Sequence, residues 1–568
     1  MLHKITTTLL LGCGLVASAM AAQAQERSDV VARLNAALYA PDVIESSDTD
    51  VRRFYELRGH LPVWWQGDGW HDHVELALVW LARADTIGLS PERYAAANLA
   101  ALIDPLVAHG LTDEDIATLE IALTDALLTY ARDRQTGRID PTVTGWMSQT
   151  TIARDTPKAL VAAVEEGDLV GWITALTPER EGYARLLPEL SRYRALAVLD
   201  WPAITAGDSI KPGASDPRVT ALRTRLEHLG DLSVATVHDG GDIYDDALVD
   251  AISRFQARHG LDADGVVGRK TLVALNVTPA ERALTITANL ERMRWIPAQA
   301  ELGERHVEVN LPNFELVAYE AGEPSLVMPV VVGAPEHRTP ILSDRIVNLK
   351  FAPTWTVPHK IAKDEILPKL QEDPTWLATN SFRVFADWGA TNEVDPETID
   401  WTEMTASSFA YMLRQDPSES SALGLVRFSL TNEFDIFLHD TGARSVFART
   451  ERSLSHGCVR VGDPAGLAQF ALATESTAWT AQEVDEALTA EETHYQSLSQ
   501  PLPVHLMYLT AWVDDAGQMQ FRGDIYDEDT ELLALMETAD DEVVIELPVL
   551  IGSLDPIDAP EIELALAD

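Results

Sequence analysis

The sequence is poor in cysteine, and this scarcity limits what sulfur can do in the protein. Only Cys13 and Cys458 occur among 568 residues. Cys13 lies inside an apolar N-terminal segment, so removal of that segment would leave Cys458 alone and exclude an internal disulfide. An unpaired thiol in an exported protein is either small apolar filler or a nucleophile. The residues around Cys458 must decide between these two interpretations.

Basic residues are scarce as well. The chain has 43 Lys and Arg against 89 Asp and Glu, which gives a formal net charge of −46. Nucleic acids and anionic membrane surfaces bind proteins through Lys and Arg, so this balance argues against nucleic acid as a partner. Residues 526–568 contain no Lys or Arg at all, and we predict an acidic, solvated C-terminal tail there.

Long apolar runs are absent after the first 24 residues, so we expect a mature chain that does not span a membrane. Residues 1–24 combine Lys4, an apolar stretch and the small-x-small sequence Ala22-Gln23-Ala24, as secretory signals do. The sequence therefore predicts a signal peptide and an exported, periplasmic protein. A buried N-terminal helix is one alternative, and lipid attachment at Cys13 is another.

Helical periodicity dominates residues 25–205, where apolar residues recur at spacings of three and four, as in Ile116, Leu119 and Leu123. This pattern predicts a helical scaffold domain. Residues 212–277 follow as a compact unit of three short helices, the second of which is expected to end at Gly260.

From His306 the apolar period changes to two, which predicts a mainly β domain over residues 305–525. Further strands are predicted over 345–349, 425–430 and 434–439, with a hairpin over 504–521 turning at 514–517. Residues 358–415 are rich in Trp and Pro, and we predict a helical insertion that forms a lid over the sheet. The expected fold class is therefore multidomain α + β.

Two segments of the β domain carry residues suited to acyl transfer. Phe437-Leu438-His439 is followed, nineteen residues after His439, by Cys458 in Ser455-His456-Gly457-Cys458-Val459-Arg460. A thiolate is the attacking species in such chemistry, and a nearby histidine accepts its proton and can pair with it. Gly457 permits a sharp turn in which backbone amides can face a developing oxyanion. Each residue alone is more often packing or surface than catalytic, but the combination favours catalysis.

The string Ser-His-Gly-Cys-x-Arg with this upstream histidine resembles the catalytic motif of the L,D-transpeptidases. The resemblance extends to Val309-Asn310-Leu311-Pro312, Thr339-Pro340, Trp355-Thr356-Val357-Pro358 and Tyr508-Leu509-Thr510-Ala511-Trp512, as in the large periplasmic branch of that family. The unit at 212–277 resembles a peptidoglycan-binding module through Phe255-Gln256, Gly260-Leu261 and Asp264-Gly265-Val266-Val267-Gly268. Whether that unit binds glycan or braces the catalytic domain stays open.

The resemblance implies a role for several positions. Cys458 would be the nucleophile, His439 the general base, and the backbone amides of Gly457 and Cys458 the oxyanion hole. The residues implied in shaping the turn and holding substrate are Ser455, His456, Arg460, Arg452 and Trp355. Arg452 could hold a stem-peptide carboxylate, or it could only balance nearby acidic residues.

The implied reaction forms a thioester on Cys458 from a tetrapeptide stem of peptidoglycan and passes the acyl group to the amine of a second stem. The product would be a 3→3 cross-link, carbapenems would be expected inhibitors, and no metal or organic cofactor would be needed. The expected partners are peptidoglycan stem peptides and glycan. An L,D-carboxypeptidase or cysteine amidase on the same stem, and a wall-binding scaffold without catalysis, remain alternatives.

Overall fold

The structure is a computed structural model that describes residues 29–39, 48–66, 69–103, 111–147, 155–233, 241–298, 301–474 and 479–542. The predicted signal peptide, Cys13 and the residues beyond 542 lie outside these ranges. The chain divides into two compact units. One contains residues 1–138, 152–177 and 535–568, and the other contains residues 139–151 and 178–534.

The first unit is helical. Its described helices are 29–38, Asp48–Leu57, His73–Ala82, Ala96–Ile103, Asp113–Thr136, Thr156–Glu166 and Leu169–Ala175. The long helix Asp113–Thr136 begins at a capping box between Thr112 and Asp115 and is buried on most of its surface. Glu120 in this helix is fully buried, and its carboxylate accepts hydrogen bonds from the backbone amides of Val63, Trp64 and Trp65. One carboxylate thus holds an irregular segment against the helix.

The second unit begins with helices. Their bounds are Glu181–Ala197, Val219–Leu229, Asp246–Arg258, Arg269–Asn276 and Pro279–Trp295. The middle three enclose a core that includes Leu222, Ile252 and Phe255, as their apolar spacing predicts. The second of the three ends before Gly260, whose φ of +63° is the left-handed geometry expected of a helix stop.

A mainly β domain follows. Its strands are β1 (Arg305–Asn310), β2 (Glu315–Glu320), β3 (Glu323–Gly333), β4 (Leu342–Phe351), β5 (Trp355–Thr356), β6 (Phe382–Phe385), β7 (Glu393–Val394), β8 (Met412–Gln415), β9 (Val426–Ser429), β10 (Leu438–His439), β11 (Ser453–Ser455), β12 (Val459–Val461), β13 (His494–Met507), β14 (Ala511–Val513) and β15 (Met519–Phe521). Among the described residues, nine of them form one sheet in the order β11-β3-β12-β10-β9-β4-β13-β1-β2. Since β2 also pairs with β3, the sheet closes on itself.

The insertion differs from the sequence prediction. Residues 358–415 were expected to be helical, but the segment also holds strands of a four-stranded sheet in the order β5-β8-β6-β7, beside helices Leu367–Glu372 and Trp376–Thr379. The strands are only two to four residues long, so their period of two is too brief to show in a sequence window. The insertion has a core of its own, which includes Trp401 and Leu413.

Other boundaries also moved. The predicted strand 434–439 is reduced to the two residues of β10. Asp435 has a φ of +55°, which is outside the extended region, so the strand does not include the first predicted residues. The predicted hairpin at 504–521 is two features: β13 belongs to the large sheet, and β14 and β15 pair separately. The remaining helices are Pro464–Leu472, Ala481–Leu488 and Glu528–Glu542. The last lies in the segment predicted to be a solvated tail, but Tyr526, Leu532 and Met536 are buried, so the prediction is wrong for this part of the segment. Within the described ranges, no helix has the length and apolar character needed to cross a bilayer.

Candidate active site

The candidate nucleophile lies in a tight connection between two strands. Cys458 comes between β11 and β12, directly after Gly457, whose φ is +109°. This backbone conformation is costly for any residue with a Cβ, and a Cβ on Gly457 would also lie 2.9 Å from Cδ1 of Ile436. The glycine therefore allows the turn that presents the partly exposed Cys458 thiol.

Strand pairing places the candidate base on the same face as the nucleophile. β10 and β12 are parallel, with Leu438 opposite Val459 and His439 opposite Arg460. Val459 also donates its amide to the carbonyl of Phe437, which continues the pairing back to Cys458. Alternate residues share a face, so Cys458 and His439 lie on one face with their Cα atoms roughly 8 Å apart, from strand spacing and rise. A histidine side chain can bridge such a separation.

A backbone carbonyl orients the imidazole. Nδ1 of His439 lies 2.5 Å from the carbonyl oxygen of Asp440 and donates its proton there, so Nε2 keeps a lone pair. The carboxylate of Asp440 points elsewhere, since it pairs with Arg444 at 2.9 Å and accepts the amide of Leu425. The carboxylate next to the base in sequence is therefore structural.

The ionisation of the two groups indicates a neutral pair. Burial is the main cause that raises the pKa of the Cys458 thiol to about 11. Burial, together with the charge of Arg460, lowers the pKa of His439 to about 3. Both shifts favour a protonated thiol beside a neutral imidazole over the thiolate–imidazolium pair that the sequence suggested. The imidazole is thus available as a proton acceptor when the thiol attacks.

The amides of the turn are used in different ways. The amide of Gly457 donates to the hydroxyl of Ser455 at 3.1 Å, and that hydroxyl donates to the carbonyl of Cys458 at 2.5 Å. The amide of Cys458 donates to no residue in the described part of the chain. Ser455 therefore stabilises the turn from inside, and the Cys458 amide is the one open to an oxyanion.

Thr339 and Tyr526 also brace the nucleophile loop, and sequence reasoning did not assign them. The Thr339 hydroxyl donates to the carbonyl of Gly457 at 2.7 Å and accepts the amide of Gly333 at 2.9 Å. The Tyr526 hydroxyl accepts the amide of Thr339 and donates to the carbonyl of Gly333. The sequence pointed to Thr339, because Thr339-Pro340 is among the segments that resemble the family. The resemblance did not indicate what the Thr339 side chain does.

The remaining predicted site residues lie in separate environments. Arg452 donates hydrogen bonds to the backbone carbonyls of Val330, Arg449 and Phe314. Its guanidinium is therefore used in holding the backbone. His456 lies 2.6 Å from the carboxylate of Glu365, in the insertion.

Trp355 and Arg460 differ in their surroundings. The Trp355 ring packs against Phe382 and the core of the insertion. Arg460 lies on the sheet face that carries Cys458, directly opposite His439 on the neighbouring strand. Of the predicted substrate-holding residues outside the turn, Arg460 is the one that the strand register brings beside both the thiol and the imidazole.

Arg427 is a further charged residue of this face, and sequence reasoning missed it. It lies opposite His439 on β9, and its guanidinium lies 5.0 Å from the ring centroid of Phe437. The sequence carried a signal for Arg427, because it lies between the apolar residues Val426 and Phe428 in a predicted strand. Both neighbours are fully buried in the structure, so Arg427 lies on the opposite face of β9.

Three regions of the chain match models of known domain families. Residues 304–483 match the family model of the "L,D-transpeptidase catalytic domain", residues 215–275 that of a "Putative peptidoglycan binding domain", and residues 49–190 that of a "Scaffold domain". All three matches fall in regions for which the sequence predicted a module of the corresponding type.

A curated protein named "Putative L,D-transpeptidase" from Haemophilus influenzae is 32% identical over 269 residues, which are 46% of this chain and 53% of that protein. The chain thus spans about half the length of this curated relative. The match to a crystal structure of an L,D-transpeptidase from Xylanimonas cellulosilytica covers 53% of this chain and 99% of that chain, at 16% identity and a TM-score of 0.17. Residues 304–483 are thus similar to the L,D-transpeptidase catalytic domain, and the curated relative supports the L,D-transpeptidase family for this chain.

Proposed function

We propose that this protein joins peptidoglycan stem peptides by 3→3 cross-links and that the reaction passes through a thioester on Cys458. The observation that carries the proposal is the shared face of Cys458 and His439 on adjacent parallel strands, with Cys458 presented by the turn at Gly457. A scaffold that only bound the wall would need neither group.

In the first step the Cys458 sulfur attacks the carbonyl carbon before the terminal D-alanine of a donor tetrapeptide. The thiol proton moves to Nε2 of His439, and the Cys458 amide donates to the oxyanion. When the tetrahedral intermediate collapses, the C–N bond breaks and His439 returns the proton to the leaving amine. The products are a thioester and free D-alanine, so atoms and charge balance.

In the second step the side-chain amine of the third residue of another stem attacks the thioester carbonyl. Its proton moves to His439, the C–S bond breaks, and the thiol is re-formed with that proton. The new amide joins the third residues of two stems. Transfer to water by the same route would give a tripeptide instead, so exclusion of water from the thioester decides the outcome.

Export to the periplasm belongs to the same proposal, because the assembled peptidoglycan that would be cross-linked lies outside the cytoplasm. Residues 1–24 provide the predicted signal, and the match of residues 215–275 to a peptidoglycan binding domain supports the wall as a partner. Carbapenems are expected to acylate Cys458 as substrate mimics.

The intermediate can be tested directly by intact-protein mass spectrometry. The protein is incubated with disaccharide-tetrapeptide and quenched in acid within seconds, beside Cys458→Ala and His439→Gln variants. We expect an added mass equal to the disaccharide-tripeptide acyl group in the wild type, a much slower gain in His439→Gln and none in Cys458→Ala. An adduct that persists in Cys458→Ala, or none in the wild type, would contradict the proposal.

A further inference from the structure

Two arginines flank the candidate base on neighbouring strands. Arg427 on β9 and Arg460 on β12 both lie directly opposite His439, which is on β10 between them. Residues opposite each other in a sheet share a face. Both positive charges also act on Cys458 and on His439, which agrees with guanidinium groups close to the reacting pair.

Both guanidinium groups lack a negative partner among the described residues. Arg460 makes no side-chain hydrogen bond there, and its Nε is buried without an acceptor. Arg427 donates to the hydroxyl of Ser429 at 3.1 Å, but its Nε is likewise buried without an acceptor. Neither forms an ion pair with a described carboxylate, whereas nearby Arg444 does so with Asp440.

This arrangement is unfavourable unless something else binds there. A buried donor without an acceptor has lost its hydrogen bonds to water without replacement, and like charges near one another repel. The chain has 89 acidic residues with which to neutralise such groups, yet it leaves these two open beside the thiol. Guanidinium groups bind carboxylates through paired N–H donors, so a carboxylate would remove both penalties.

We propose that Arg427 and Arg460 form a subsite that binds a free carboxylate of the donor stem peptide and so fixes the carbonyl that Cys458 attacks. This inference rests on the proposed function and adds the group that recognises the donor. Arg460 is two residues beyond Cys458 on the same strand face, roughly 7 Å along the strand, which suits a carboxylate a few bonds from the scissile carbonyl. That carboxylate is either the terminal one of the fourth residue or the side-chain one of the third.

Binding without turnover tests the subsite apart from the reaction. In a Cys458→Ala background, calorimetry measures the affinity for three peptides: the tetrapeptide acid, its C-terminal amide, and an analogue with lysine as third residue. We expect at least a tenfold loss of affinity for whichever peptide lacks the carboxylate that is bound. Arg427→Gln and Arg460→Gln should weaken binding of the tetrapeptide acid tenfold or more. The same substitutions should barely change binding of the peptide that lacks the recognised carboxylate.

Matched variants separate recognition from general damage. Arg460→Lys keeps the charge without the paired donors and should lose an intermediate amount. Arg345→Gln removes an exposed arginine from β4 and should bind as the parent does. Circular dichroism checks that each variant is folded.

Three results would overturn the subsite. The arginine variants could lose affinity equally for all three peptides, they could lose no affinity at all, or the Cys458→Ala parent could bind none of the peptides. If binding depends on the carboxylate but the wild-type protein forms no thioester, the subsite is supported and only the proposed transpeptidation is contradicted.

Discussion

The neutral state of the catalytic pair predicts how Cys458 reacts with an alkylating reagent. Burial raises the pKa of its thiol to about 11 from an ordinary value of 9.0. At pH 8 the thiolate fraction is then about 100-fold smaller than in an unfolded chain, while the greater basicity of the thiolate recovers roughly tenfold in nucleophilicity. We therefore expect alkylation of the folded protein by iodoacetamide to be about tenfold slower than that of the same protein in urea.

The pH profile is the sharper readout, because restricted access to a half-buried thiol also slows alkylation. The unfolded chain should reach a plateau above pH 9, and the folded protein should gain about tenfold in rate per pH unit until about pH 11. A Cys13→Ser background leaves one reporting thiol, and circular dichroism confirms folding at each pH. His439→Gln should not shift the inflection, since a neutral imidazole does not stabilise the resting thiolate.

The opposite behaviour would refute this reasoning. A plateau at or below pH 8 in the folded wild type, moved upward in His439→Gln, would show that the resting site is a thiolate–imidazolium ion pair. The lowered pKa of His439 would then be wrong, and Arg427 and Arg460 would have to be paired with the thiolate and not left open for a substrate.

Other predictions follow from single contacts. Glu120→Ala leaves three backbone amides without their acceptor and should lower the free energy of unfolding by about 3 kcal/mol, measured by urea titration, whereas Glu114→Ala on the same helix should change it little. Burial raises the pKa of Glu120 to about 7, so wild-type stability should fall as pH rises from 4.5 to 7, and Glu120→Gln should lose that slope. Thr339→Val removes the hydroxyl that holds the Gly457 carbonyl and the Gly333 amide, and it should slow thioester formation about tenfold in a protein that is less stable but still folded. Gly457→Ala should slow it by at least as much, while Gly517→Ala, also at positive φ but with open space around it, should not; equal rates in the two would contradict the role of the turn.

Much of the architecture was readable from the sequence because its signals are long. The apolar spacing of Val219, Leu222 and Leu226 spans a whole helix, and the period of two from Val307 continues through several strands. The four-stranded sheet of the insertion was missed, since strands such as β5 and β7 have two residues each. Local pattern cannot reveal pairing that depends on residues distant in the chain.

The site shows the same limit. His439 and Cys458 could be named from residue type and spacing, as they are the groups that acyl transfer requires. Arg452 drew attention because it is near Cys458 in sequence, but in the structure its guanidinium bonds to three backbone carbonyls. Arg427 is thirty-one residues from Cys458 and comes beside it only through the register of β9 against β10.

The most direct test of the central claim is the identity of the product formed from purified disaccharide-tetrapeptide. Tandem mass spectrometry after incubation with wild-type protein, beside Cys458→Ala, should show a dimer whose fragments place the new amide between the third residues of both stems, together with one free D-alanine per dimer. The dimer should be absent with Cys458→Ala. Monomeric tripeptide and D-alanine without dimer would identify a hydrolase, and unchanged tetrapeptide would contradict catalysis at this site.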